Sequence, residues 1–186
     1  MVSEVFGGST LDTDVLVRFG GAYTPNILNG EYWRLLTSMF MHSGIRHLLN
    51  NMLLLYVLGQ HLEFLLGHIR YAALYLAGGL AADLIAHLYY VHTERSVVSV
   101  GASGAVFAVI GALVFIIAVN KGRVDGLTMK QMLIMLFFSL YFGFTEAGVS
   151  NAAHLGGLIS GLVLSAVLYR RRARSESDER RNDYHV

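Results

Sequence analysis

The chain is expected to fold as an all-α, polytopic membrane helix bundle with five transmembrane helices, and three observations lead there. It is 54% hydrophobic and only 15% charged over 186 residues, with a mean hydropathy of +0.51, too apolar for an ordinary soluble domain. Five stretches approach the ~20 apolar residues that a helix needs to cross a bilayer core of about 30 Å. Short polar breaks separate them: "GHIR" (67–70), "HTERSVVS" (92–99), "NKGRVDGLTMK" (120–130) and "TEAGVS" (145–150). An open sheet would leave backbone groups unpaired in lipid, so helices are the form these stretches take. The absence of Cys excludes disulfides and thiolate metal sites, and a net charge of +1 gives no sign of nucleic-acid binding.

Residues 1–43 fit no span. The piece "DVLVRFGGAYTPNILNGEYWRLLTSMFMH" (14–42) mixes Gly, Asn and Pro with short amphipathic runs, which predicts an external loop or interfacial segment. The membrane domain is expected over 44–170, with helices near 44–66, 70–92, 101–120, 129–145 and 150–170. The first carries His47 and Asn51, four apart and so on one face, with His42 just ahead of it. The second carries Asp83 and His87, also four apart, read as a mutually paired polar patch facing the bundle. The third opens on Gly101-Ala102-Ser103-Gly104; the fourth is short and rich in Met and Phe. The fifth sets His154, Gly157 and Gly161 on one stripe. Residues 171–186, dense in charge and without apolar periodicity, read as a disordered cytoplasmic tail. With that tail inside, alternation puts Arg70, Lys121, Arg123 and Lys130 inside as well, as the positive-inside rule asks. Ser103, His154 and the start of the first helix then share one depth near the external face.

That shared depth gives the serine a purpose. Gly157 and Gly161 have the GxxxG spacing that lets helix backbones approach, and Gly104, Ala108 and Gly111 form a matching small stripe on the serine helix. Close packing of these helices would bring His154, as a base, to the Ser103 hydroxyl, a weak nucleophile on its own. His47, Asn51 and the Ser103 backbone N–H are candidate donors for the oxyanion of a tetrahedral intermediate. Glu146 is the only acidic residue near His154 at that depth, so a Ser-His dyad is favoured over a triad. Phe107, one turn after Ser103, is placed to orient the imidazole by stacking. With eight His but no Cys and no HExxH pattern, a zinc protease is not expected.

The ordered set "EYWRLLTSMFMH", "HSGIRHLLNN", "GASGA" and "AHLGGLISG" resembles the rhomboid intramembrane serine proteases from about residue 28 to 170. Any one of these motifs is weak, and the order makes them specific. The resemblance implies Ser103 as nucleophile, His154 as base, His47 and Asn51 at the oxyanion, and His42 supporting the site from the loop side. Trp33 and Arg34 match the family's Trp-Arg pair in its first external loop, and Glu63 fits an acidic position at the cytoplasmic end of a helix. Gly101, Gly104, Gly157 and Gly161 would support the site by close packing. Substrates would be single-span membrane proteins cut near the outer end of their helix, with no cofactor, in a multi-pass protein of the plasma membrane. The chain begins in the Trp-Arg loop, so the helix that precedes that loop in the family is expected to be absent. The alternative reading is a catalytically impaired rhomboid-like protein that binds or escorts membrane clients.

Overall fold

The computed structural model describes residues 12–145 and 149–170; Glu146 and the tail at 171–186 lie outside them. The first thirty described residues fold into short pieces: α1 (Thr13–Arg18), β1 (Ala22–Tyr23), α2 (Thr24–Leu28), α3 (Arg34–Thr37) and a 3-10 turn (Ser38–Phe40). Asp12 caps α1 by accepting from the Asp14 N–H, and Pro25 opens α2, where its missing N–H costs nothing. Five long helices follow: α4 (Gly44–Leu66), α5 (His68–His92), α6 (Ser103–Val119), α7 (Met129–Thr145) and α8 (Asn151–Leu168). Each begins and ends within about two residues of the range its hydropathy predicts.

Two differences from the expected architecture stand out. The fold is mostly helical but not purely so. β1 pairs antiparallel with β2 (Val98–Ser99), and β3 (Arg123–Val124) pairs with β4 (Leu127–Thr128) between α6 and α7. Two-residue pairs leave no alternating pattern long enough to read in a sequence. The second difference is the span count. By length and apolarity α5 and α8 qualify to cross a membrane, while α6 and the Met129–Tyr141 portion of α7 are shorter apolar helices. At 1.5 Å per residue a helix of 17 residues reaches only about 25 Å. α4 has the length, but Arg46, His47, Asn51, Gln60, His61 and Glu63 dilute its apolar character.

The core forms around α6, which is buried on every side from Gly104 to Leu113. Its closest partner is α8, and glycine is the reason. A Cβ at Gly157 would meet the Gly104 carbonyl oxygen, one at Gly161 the Ala108 oxygen, and one at Gly111 the Leu158 oxygen. These helices touch backbone to backbone, which only residues without a side chain permit. α5 completes the trio: a Cβ at Gly78 would meet that of Ala108, and Ser160 Oγ donates to the Gly78 carbonyl at 3.2 Å. Large apolar side chains point outward, among them Tyr56, Phe64, Ile69, Phe137 and Val167, each more than half exposed. A lipid environment covers such faces; water would not tolerate them at this density.

Candidate active site

The segment ahead of α6 is fixed from three directions. β1 holds β2 in register, Ala22 opposite Ser99 and Tyr23 opposite Val98, and the Thr24 N–H donates to the Val97 carbonyl at 3.3 Å. The Gly101 N–H donates to the Ser38 carbonyl at 2.9 Å. The Ala102 N–H reaches His42 Nε2 at 3.4 Å. Ser103 follows as the first residue of α6, partly exposed, with the N-terminal N–H groups of the helix gathered around it.

Gly101 has φ +124, a conformation that side chains resist, and a Cβ there would lie 2.7 Å from His47 Cε1 and 2.8 Å from Nε2. The imidazole of His47 thus rests on the glycine two residues before the serine. His42 stands edge-on to it, ring centroids 5.3 Å apart. Asn51, 4% exposed, donates one of its amide hydrogens to the His47 carbonyl at 3.0 Å. That bond fixes the plane of the amide and leaves its second N–H unspent.

His154 enters from α8. Ser150 caps this helix by accepting from the Ala153 N–H at 3.1 Å, and its hydroxyl meets the Tyr90 hydroxyl at 2.7 Å, tying the start of α8 to the end of α5. The His154 ring lies flat on Phe107, centroids 4.1 Å apart and planes within 10°. It is 4% exposed, and neither ring nitrogen has a hydrogen-bond partner. No hydrogen bond therefore joins His154 to Ser103. The backbone contact of Gly104 with Gly157 nevertheless puts the two residues at one level, and such bonds commonly tighten only when substrate is bound.

The Trp33-Arg34 pair lies apart from this cluster. Arg34, 5% exposed, donates to the Val17 and Gly21 carbonyls at 2.6 and 3.1 Å and to Glu31 at 2.7 Å, with its guanidinium 4.6 Å from the Trp33 ring centre. It laces the N-terminal segment together, and its hydrogen bond, with that of the Asn26 amide, holds Glu31 below the usual carboxylate range. Glu63 meets His68 Nδ1 at 2.5 Å across the turn between α4 and α5. Asp83 does not pair with His87. It accepts instead from Ser38 Oγ at 2.7 Å, while His87 Nδ1 is enclosed without a partner. The short aspartate side chain meets the hydroxyl that the 3-10 turn presses against α5. Nothing in "TSMF" marks Ser38 as a partner for Asp83, and nothing near Ser150 names Tyr90.

His42 supplies a pH test. Burial, and secondarily the neighbouring His47, push its imidazole down to about 4 from the ordinary 6.5. Between those values the unfolded chain binds a proton that the folded one refuses. Its contribution is therefore complete above 6.5 and is lost as pH falls towards 4. His42→Gln, which keeps an acceptor for the Ala102 N–H but does not titrate, is expected to flatten the fall of the melting midpoint across that window. Parallel curves for the two proteins would remove His42 from the effect.

Fold and site together define a class: a membrane-embedded helical protein in which a serine opens one helix and a histidine stands on the helix packed against it. The Rhomboid domain matches residues 29–171, and the chain belongs to the rhomboid family. It is 35% identical over 165 residues to rhomboid protease GluP of Bacillus subtilis, covering 89% of this chain and 31% of that protein. To the putative rhomboid protease YdcA of the same organism it is 30% identical, covering 82% and 75%. To RHOMBOID-like protein 4 of Arabidopsis thaliana it is 35% identical, covering 89% and 41%. The chain thus spans less than half the length of two of these relatives and three quarters of the third.

Proposed function

We propose that this chain is an intramembrane serine endopeptidase of the rhomboid type. It hydrolyses a peptide bond near the outer end of the transmembrane helix of a single-span substrate. The observation that carries this reading is the His154 imidazole, stacked on Phe107 with both nitrogens unbonded, on a helix whose backbone touches that of the serine helix. Protease names among the relatives support it. In this reading α4 to α8 each cross the bilayer of the plasma membrane, the shorter ones where it thins around them, with the C-terminus cytoplasmic.

Ser103 Oγ attacks the scissile carbonyl as His154 takes its proton. The oxyanion that forms accepts from the Ser103 N–H, the unspent Asn51 N–H and His47. Collapse expels the amine, protonated by His154, and leaves an acyl-serine; water, deprotonated by the same imidazole, then releases the acid. Asn51→Ala is expected to lower kcat on the order of 10²–10³-fold with little change in KM, because its donor meets charge that exists only in the transition state. A KM defect with normal kcat would take Asn51 out of that role.

The deciding experiment incubates the purified protein with a fluorophosphonate probe and, separately, with a single-span substrate in liposomes. Labelling confined to Ser103, together with cleavage, supports the protease. The absent Ser103–His154 hydrogen bond favours the second reading, an impaired rhomboid-like protein that binds membrane clients. Substrate capture without labelling or cleavage would establish that reading instead.

A further inference from the structure

Asp83 and Ser38 take no part in the chemistry above, yet they meet where a carboxyl group is expensive. Asp83 is 6% exposed and lies in the second half of α5, a helix apolar enough to cross a membrane. Ionisable groups at such depth persist where they do something. Ser38 is 1% exposed, and besides its 2.7 Å bond to Asp83 Oδ2 its main-chain carbonyl accepts the Gly101 N–H at 2.9 Å. One residue thus binds the carboxylate with its side chain and the approach to Ser103 with its backbone. Met39 locks the same turn from the adjacent position: it is 2% exposed, and a Cβ on Gly79 would meet its methyl group. Gly79 and Asp83 are four apart on one face of α5, so the 3-10 turn is keyed to that helix at two neighbouring points. Beyond Gly101 there is no slack, since even a Cβ on it would collide with the His47 ring.

We infer that Asp83 is a positioning residue for the serine. Its carboxyl sets Ser38, the Ser38 carbonyl sets Gly101, and Gly101 sets the first turn of α6 with the Ser103 hydroxyl and N–H. The catalytic half of this inference rests on the proposed role of Ser103; the structural half does not. An apolar residue at position 83 would suit the helix better in lipid, so the carboxyl is kept for the geometry it imposes.

The test compares Asp83→Leu, Ser38→Ala, the double variant and Asp83→Asn in the full chain. Asp83→Leu and Ser38→Ala are each expected to cut kcat and the rate of Ser103 labelling by ~10–100-fold with KM nearly unchanged, the scale of a small misplacement of a reacting group. The double variant should be no worse than the poorer single one, because both break one link. Asp83→Asn retains an acceptor for the Ser38 hydroxyl and should restore most of the rate. Hydrogen exchange at the Gly101 amide should rise about tenfold or more in Asp83→Leu and Ser38→Ala but not in Asp83→Asn. Unchanged exchange at Gly101 would overturn the inference whatever the enzyme does, as would a kcat loss that tracks the melting midpoint across all four variants. A protected Gly101 amide in a wild-type protein that neither labels nor cleaves would sink the protease reading alone.

Discussion

Replacing Ser103 by Ala is expected to abolish cleavage, with a loss on the order of 10⁴–10⁶-fold, and His154→Ala should do nearly as much. The two side chains lie on helices whose backbones touch at Gly104 and Gly157, so neither helix can adjust to compensate for a missing partner. In the proposed mechanism the hydroxyl needs the imidazole to take its proton. The double variant is therefore expected to be about as inactive as either single one. Substrate cleavage measured in liposomes for all three decides it: losses that add on a logarithmic scale would show two residues acting independently. The single variants should melt at nearly the wild-type temperature, because the Ser103 side chain makes no hydrogen bond among the described residues and His154 is held chiefly by Phe107.

The largest effect on stability is expected from Gly161→Val. The first added carbon lands on the Ala108 carbonyl oxygen, a backbone atom in the middle of a buried helix, and the second branch has no room at all. The helices must separate, which removes the contacts of Gly157 and Gly111 along the same seam. Overpacking against side chains costs about 1–3 kcal/mol, and here the obstacle is rigid, so at least ~3 kcal/mol is expected. For a chain of this size that lowers the melting midpoint by roughly 6–12 °C. Leu155→Ala, an exposed position on the same helix, serves as control and should shift it little. If Gly161→Val melts with the control, the seam between α6 and α8 does not hold the bundle together.

The seam was legible in the sequence because its signal is local: HxxGxxxG on one helix and small residues at Gly104, Ala108 and Gly111 on the other. Helix limits were legible for the same reason, polar breaks being short and sharp. What escaped depends on pairs far apart along the chain. Ser38 and Asp83 are 45 residues apart and Tyr90 and Ser150 are 60 apart, and nothing near either member names the other. Asp83 was read with His87 because four residues on a helix is a local relation, but the 3-10 turn offered a closer donor. The five-span expectation is met in part: α5 and α8 are long and apolar enough to cross a membrane, whereas α4 carries polar residues along its length and α6 is a shorter apolar helix that stops at Val119.

The pairing of β1 with β2 also sets an order of events during synthesis. Thr24 and Val97 are 73 residues apart, and at ~5–20 residues per second the ribosome needs several seconds to make the second after the first. Through that interval the segment at 12–43 has no strand to pair with and Ser38 has no Gly101 to receive. Ser103 follows almost at once, but His154 must still be made, and only with α8 in place does the seam close. A chain still being translated therefore holds Ser103 without His154, and on the proposed mechanism it cuts no neighbour in the membrane until α8 is in place.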